Sequence, residues 1–289
     1  MPKTYNDIYF NIRNRLRDAG VEAFGLESRI LVASAAGKTV EQLLRDLNLY
    51  TSNEIEDRAE KMLRRRLNGE PLAYITGMWE FYGLNIEVTP DVLIPRMDTE
   101  LLAGAAIQAL KHNGMRGRVL DLCCGSGCIA CAIVNELPAV RVVAADISES
   151  ALEICRKNIS SNKLLSRIIT MQADALSWPP MGIGSFDVIV SNPPYIATAE
   201  ILTLDSSVRD YEPHSALDGG ADGLDFYRGI IKYWTYALRP NGLMMFEVGE
   251  GQADDVRKML LSTGFVSTAV LNDTLGTERV VIGKWKNEY

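Results

Sequence analysis

Asn192, Pro193, Pro194 and Tyr195 follow the apolar run Phe186-Asp187-Val188-Ile189-Val190, with Ser191 between. The run has the branched and aromatic composition of a buried strand. Two consecutive prolines cannot donate to a sheet ladder, so the strand must stop at Asn192. The residue before each proline is pushed into extended backbone, which stiffens the corner and fixes the directions of the Asn192 amide and its neighbouring carbonyls. A short amide carbonyl beside a carbonyl-lined corner puts two acceptors at one point, and Tyr195 adds a flat face. Such a corner is a socket for a planar NH2 group. An amide nitrogen is a poor nucleophile because its lone pair is delocalised, so accepting hydrogen bonds from both its N–H groups as charge grows on it favours its alkylation. In that chemistry the Asn192 carbonyl and the Pro193 backbone carbonyl are the acceptors, Pro194 completes the rigid corner, and Tyr195 stacks on the amide plane. Taken alone, the tetrapeptide also reads as a tight surface turn.

A second constellation lies upstream. Asp121 and Leu122 end one predicted strand, and Cys123-Cys124-Gly125-Ser126-Gly127 lead into a predicted helix; Asp146 and Ile147 end the next strand. Gly125-x-Gly127-x-x-Ala130 in that setting is a nucleotide-binding pattern: the glycines admit close backbone approach, and Asp146 can bind both ribose hydroxyls. Three readings compete. A dinucleotide is opposed by Asp121, whose charge lies near where a pyrophosphate would rest. S-adenosylmethionine carries an ammonium and a sulfonium that welcome Asp121, a ribose for Asp146, and an adenine amino group for Asp174, with Ala175 beside it. The spacing Cys124-x3-Cys128-x2-Cys131 is also that of a radical enzyme's iron–sulfur cluster, although the same positions share a helix face on which small buried cysteines pack against a sheet. A class I methyltransferase explains the glycines, Asp121, Asp146 and the Asn192 corner together.

The elements that must position these residues follow from periodicity. Residues 1–70 read as a small helical bundle: Ile8, Ile12 and Leu16 form one stripe, Thr39 can cap a short helix, and Ser52 or Asn53 a longer one. Residues 71–93 carry a β-hairpin turning at Tyr82-Gly83, with Met78–Phe81 and Leu84–Val88 alternating on either side. Residues 94–289 begin with a helix capped by Asp98 or Thr99. They then alternate strand and helix, with strands predicted over 118–122, 141–145, 167–171, 186–190 and 243–248, and a final antiparallel pair over 266–271 and 279–285. This is an α/β fold of the doubly wound kind, in which ligands sit at the carboxyl ends of strands near the switch point.

Composition bounds the rest. The 289 residues are 47% hydrophobic and 23% charged, as in an ordinary soluble globule, with room for one large domain and a small one. A net charge of −7 disfavours a protein whose affinity comes from neutralising phosphates, so no direct nucleic-acid partner is expected. The bundle is locally basic, with 12 Lys and Arg against 11 Asp and Glu, whereas the remainder has 18 against 26. Arg13, Arg15, Arg17 and Arg64-Arg65-Arg66 make either a solvated face or a docking face. There is no apolar leader or membrane-length run, and an odd number of cysteines crowded over 123–131 is no disulfide framework, so a cytoplasmic protein is expected. His112 and His214 stand apart from clustered ligands, and no metal site is assigned. Asp222 and Asp225 are either functional or caps of the following helix.

With these residues in hand, the chain resembles the release-factor glutamine methyltransferases of the PrmC/HemK type over nearly its full length. The resemblance is carried by Asn192-Pro193-Pro194-Tyr195, Tyr74-Ile75-Thr76-Gly77, Ile94-Pro95-Arg96 with Asp98-Thr99-Glu100, and Glu212-Pro213 followed by Ala216-Leu217-Asp218-Gly219-Gly220. Asp222-Gly223-Leu224, Arg239-Pro240-Asn241-Gly242 and Gly276-Thr277-Glu278-Arg279 add to it. It implies a Rossmann-like, seven-stranded class I sheet with an antiparallel last hairpin, use of S-adenosylmethionine with S-adenosylhomocysteine as product, and methylation of the glutamine amide in the Gly-Gly-Gln tip of class 1 peptide chain release factors. The substrate side would then involve Asn192, Pro193, Pro194, Tyr195, Arg96 and Glu100, the N-terminal bundle would help to grip the release factor, and a monomer is expected. Three departures stand out. Cys123 replaces the first glycine usual in the cofactor loop, Ala175 stands where some members have Trp, which would loosen the adenine wall, and Met97 takes the place of a frequent proline. A DNA adenine or cytosine amino-methyltransferase shares the tetrapeptide but would need a target-reading basic region that is not evident. A cofactor-sensing module would leave the paired-proline corner without a purpose.

Overall fold

The computed structural model describes residues 2–286. The chain forms two compact units. One gathers the chain up to Gly77 together with Ser206–Tyr211; the other gathers Met78–Asp205 and the chain from Glu212 onward.

The first unit contains α1 (Tyr5–Asp18), α2 (Phe24–Ala35), α3 (Val40–Asp46), α4 (Asn53–Leu67) and α5 (Leu72–Thr76). Three starts are capped, those at Thr39 and Ser52 as the sequence predicts: Thr4 with Asp7 and Thr39 with Gln42 form reciprocal boxes, and Ser52 accepts from the Ile55 amide. Each such cap satisfies an otherwise orphaned N–H and stabilises by about 1 kcal/mol. The stripe Ile8, Ile12 and Leu16 is buried in one cluster with Leu31, Leu43 and Leu63. Arginines on its surface are partly committed: Arg15 pairs with Glu60 and Arg66 with Glu27, each at 2.6 Å. Helix α5 falls within residues 71–93, and the later segment with α9 (Ser206–Arg209) is tied in by the Tyr211 hydroxyl donating to the Asn68 carbonyl at 2.9 Å.

The second unit opens with the expected hairpin, β1 (Met78–Phe81) and β2 (Leu84–Glu87), paired antiparallel. Its two turn residues, Tyr82 and Gly83, have φ of 51° and 73°, the signature of the tight turn whose twist suits a hairpin. Then come α6 (Met97–His112), β3 (Gly117–Leu122), α7 (Cys128–Glu136), β4 (Val140–Asp146), α8 (Glu149–Ser161), β5 (Ile168–Gln172) and β6 (Phe186–Ser191). They are followed by α10 (Asp225–Trp234), β7 (Leu238–Glu247), α11 (Ala253–Thr263), β8 (Phe265–Asn272) and β9 (Glu278–Trp285). The seven strands lie in the order β5-β4-β3-β6-β7-β9-β8, with β9 antiparallel to both neighbours. The chain winds outward from β3 to β5 and returns to lay β6 on the other side of β3. The switch point therefore falls between β3 and β6, whose last residues Leu122 and Ser191 are in register.

Two details differ from the sequence reading. Helix α6 starts at Met97 with Arg96 at its cap and no side-chain capping bond; the Thr99 hydroxyl is engaged elsewhere, as described below. Strand β7 begins at Leu238 rather than 243, because Leu238 pairs with Phe186 before a register shift. Pro240 and Asn241, the latter at φ 62°, sit in that irregular stretch, so turn-forming residues lie inside a strand.

Candidate active site

The register that pairs Leu122 with Ser191 places the loop after β3 beside the corner after β6, and the Ser191 hydroxyl locks them by donating to the Leu122 carbonyl at 2.6 Å. The loop turns through left-handed backbone at Cys123 (φ 61°), Gly125 (φ 51°) and Gly127 (φ 75°) before α7 begins. Gly127 has no substitute: a Cβ there would land on the Cys155 sulfur, which α8 holds fully buried. Asp146 braces the loop, accepting from the Gly125 amide at 2.8 Å and the Ser148 amide at 2.9 Å. Burial raises its pKa while those amides oppose the rise. Asp121 is fully buried beneath the loop; its Oδ2 accepts from the Ala130 amide at 3.0 Å, and its Oδ1 has no partner. Burial, partly offset by the Ala130 amide and reinforced by Asp146, pushes the Asp121 carboxyl up to about 7.

A cavity of about 300 Å³ joins the two constellations. Cys123, Cys124, Gly125 and Ser126 line it from the loop, Asp146 and Ile147 from the end of β4, and Asp174 and Ala175 from beyond β5. Asn192 and Pro194 face the same space, whereas Asp121 lies under the loop and Gly127 at the start of α7. Asp174 is not a free acceptor: its oxygens take the Leu176 amide at 2.8 Å and the Ser177 hydroxyl at 2.7 Å, leaving its remaining lone pairs for a ligand. Ala175, buried, gives its carbonyl to the Trp234 indole at 3.1 Å, and Phe226 and Leu176 supply wall beside it that the short side chain does not. Phe226 was invisible in sequence because it reads as one more apolar position of α10.

These features fit S-adenosylmethionine. The unpartnered Asp121 oxygen is the kind of orphan a cationic ligand satisfies, Asp146 stands at a strand end, and the glycine loop leaves open space above Gly125.

The corner itself is held from below. The Asn192 Nδ2 donates to the Thr99 Oγ1 at 3.1 Å. Tyr195 is mostly buried against the core, with its carbonyl accepting from the Gln252 amide at 2.9 Å; Pro193 and Tyr195 stand beside the cavity rather than in its wall. A Cβ on Gly219 would come within 2.7 Å of the Tyr195 Cα, and one on Gly223 would strike the Tyr195 carbonyl oxygen. The glycines of the 218–224 motif are thus the seat on which the corner rests. Burial, and next Glu247, raise the Tyr195 phenol pKa, while Arg279 and Arg96 oppose them. Arg96 pairs with Glu212, whose side chain is 1% exposed and also accepts from the Ile94 amide. Glu100 accepts from the Tyr82 amide at 2.7 Å and so ties α6 to the hairpin; neither Arg96 nor Glu100 lines the cavity. Asp222 accepts from the Leu224 amide and, with Asp225, pairs with Arg228 at the start of α10.

The cysteines do not assemble a cluster site. The Cys124 sulfur lies near Cys155 and reaches the Gly125 carbonyl at 4.0 Å, and among the described residues no three His, Cys, Asp or Glu side chains meet as metal ligands. Nor, among them, is any helix long and apolar enough to cross a membrane.

A sheet of this order, with a glycine loop and an acidic strand end at its switch point, defines a class I methyltransferase, and the family model of the methyltransferase small domain matches residues 98–205. That of the PrmC N-terminal domain matches residues 9–77. The release factor glutamine methyltransferase of Geobacter sulfurreducens is 40% identical over 94% of this chain and 93% of its own length. A bifunctional methyltransferase of Rickettsia typhi is 35% identical over 97% of this chain, which spans 57% of that protein. The solved structure of the hMettl16 catalytic domain in complex with MAT2A 3'UTR hairpin 6 shares the fold alone, with a TM-score of 0.57 at 16% identity over 82% of this chain and 84% of that one. The chain belongs to the release factor glutamine methyltransferase family.

Proposed function

We propose that this enzyme transfers a methyl group from S-adenosylmethionine to the side-chain amide nitrogen of the glutamine in the Gly-Gly-Gln motif of class 1 peptide chain release factors, in the cytoplasm. The single observation that carries the reading is the placement of Asn192 in the wall of the cavity shared with the glycine loop, Asp146 and Asp174. When bound, S-adenosylmethionine supplies a methyl group on a positively charged sulfur. The chain's own residues do the rest. Asp121 offers a buried carboxylate to a cation, and Asp146 an acceptor pair to a ribose. Asn192 Oδ1 and the Pro193 carbonyl accept from the two N–H groups of the substrate amide, favouring charge on its nitrogen as it is alkylated. The proton released from that nitrogen becomes acidic as the new bond forms, so no strong base is needed. Arg96, braced by Glu212, and Glu100, braced by the hairpin, shape the approach of the glutamine, and the N-terminal helical unit contributes to gripping the release factor.

Asn192→Ala is expected to retain cofactor affinity and lose about 10²–10³-fold in turnover, as for removal of one positioned hydrogen-bond partner. The assay is mass spectrometry of a co-incubated release factor, following one added methyl on the tip glutamine, with duplex DNA incubated in parallel. Undiminished turnover in the variant, or methyl incorporated into DNA alone, would overturn the assignment.

A further inference from the structure

Glu247 ends β7 in the interior, 2% exposed, with its Oε2 unpartnered. It is a buried acid that the reading above leaves unused. Its neighbours are specific. Thr99, from α6, and Asn192, from the end of β6, stand close enough to its carboxyl to favour its ionised form, and the pairing of Phe246 with Ser191 sets Glu247 beside Asn192. Thr99, 2% exposed, also accepts from the Asn192 Nδ2 at 3.1 Å. Thr99 and Asn192 line the cavity, and Glu247 stands behind them.

Donor and acceptor roles follow. An ionised carboxyl only accepts, and a hydroxyl can accept one hydrogen bond while donating another. The Thr99 hydroxyl, which accepts from Asn192, is thus left with its own proton to offer the acid, and the end of the Asn192 amide turned toward Thr99 and the acid is its NH2. The opposite end, Oδ1, is left for the cavity. Rotating the amide by half a turn would set an acceptor against an acceptor and orphan buried groups.

We propose that Glu247, acting through Thr99, is a positioning residue that holds the Asn192 carboxamide with its oxygen facing the cavity, so that the corner presents an acceptor rather than a donor. The role rests on the function proposed above, because an acceptor at that point is useful only toward a substrate N–H. It also makes the site sensitive to pH. A protonated Glu247 becomes a donor, which competes for the Asn192 oxygen and releases the constraint. The groups facing the acid are Asp98 and Thr99 from α6, Asn192 and Tyr195 from the β6 corner, Arg279 from β9 and Tyr227 from α10. Burial raises its pKa to about 7, with Thr99, Arg279 and Asn192 pulling down and Asp98 pushing up. Of these neighbours, Asp98 and Arg279 pair with each other at 3.2 Å, so their opposite effects on the acid partly cancel.

The test uses the full-length enzyme with Glu247→Gln, Thr99→Val and Thr99→Ser. Glu247→Gln is isosteric but brings its own NH2, and is expected to lower kcat by about 10- to 100-fold with little change in the KM for the release factor. The proposal expects wild-type activity to fall below about pH 7, and Glu247→Gln should abolish that fall. Thr99→Ser, which keeps the hydroxyl, is expected to recover most of the rate that Thr99→Val loses. The Asn192 side-chain NH2 resonances, read by selective nitrogen-15 labelling, should move with pH in the wild type and not in Glu247→Gln; this readout needs no substrate and stands even if the methyl acceptor has been misassigned. Wild-type kcat and an unaltered pH profile in Glu247→Gln, or pH-invariant Asn192 resonances in the wild type, would overturn the proposal. Failure of the wild type to methylate a release factor would instead overturn the function on which it builds.

Discussion

Gly127→Ala probes how the cofactor loop is built, and its cost can be worked from two separate contributions. At φ 75° the residue occupies left-handed backbone, which costs an alanine about 1–2 kcal/mol; the smaller entropy of the unfolded alanine chain returns roughly 0.5–1 kcal/mol of this. The new methyl would then meet the Cys155 sulfur, which is fully buried on α8. Overpacking of that kind costs about 1–3 kcal/mol. The sum is a loss of about 1–4.5 kcal/mol, concentrated at the N-terminus of α7. Cys155→Ala removes the obstructing atom and leaves the nearest contact at the residue's Cβ, 3.4 Å away, an ordinary van der Waals distance. The double variant should therefore be more stable than the two single losses imply, by about 1–3 kcal/mol of coupling. Urea unfolding of the wild type, both single variants and the double variant measures this directly. Additivity within roughly 0.5 kcal/mol, or a Gly127→Ala protein as stable as the wild type, would refute the argument that the sulfur dictates the glycine.

Two further predictions concern the same loop. Asp121 is held near a pKa of about 7, against an ordinary carboxylate value, chiefly by burial. In the free protein its neutral form is the stable one, so its contribution to stability is present at low pH and is lost as pH rises toward 7, whereas affinity for a cation grows over the same window. Asp121→Asn should raise free-protein stability at pH 8 and flatten the pH dependence of S-adenosylmethionine affinity relative to wild type, as read by calorimetry; the ligand's own titration cancels in the comparison, and parallel curves would count against the assignment. Cys123 lies at φ 61°, so Cys123→Gly should be more stable than Cys123→Ala by about 1 kcal/mol, the reverse of the order at a helical position; thermal melting giving alanine the higher midpoint would contradict the strain.

Much of the fold was legible because its cues are local. The apolar run ending in two prolines, the glycines at Gly125 and Gly127, and the alternation about Tyr82-Gly83 each announce their own backbone conformation. What stayed hidden depends on contacts between distant segments. Thr99 looks like a helix cap, and only the packing of α6 against the ends of β6 and β7 commits its hydroxyl to Asn192. Glu247 ends an apolar strand like any residue emerging into solvent, yet it is interior. Arg239-Pro240-Asn241-Gly242 spells a turn but is carried inside β7, because Leu238 finds a partner in Phe186 across the irregular pairing. Residues 206–211 join the helical unit although more than a hundred residues of chain separate them from it, and no periodicity records that. The Cys124-x3-Cys128-x2-Cys131 spacing left two readings open in sequence, and only the packing shows that no three of these side chains meet as ligands among the described residues.

The seat beneath Tyr195 consists largely of main chain, from Gly219 and Gly223, tied by the Gln252 amide. Peptide planes have no rotamers to exchange, so an empty pocket and a filled one rest on the same foundation. The entropy lost in aligning the corner is met once, when the chain folds, and is not demanded again at each turnover.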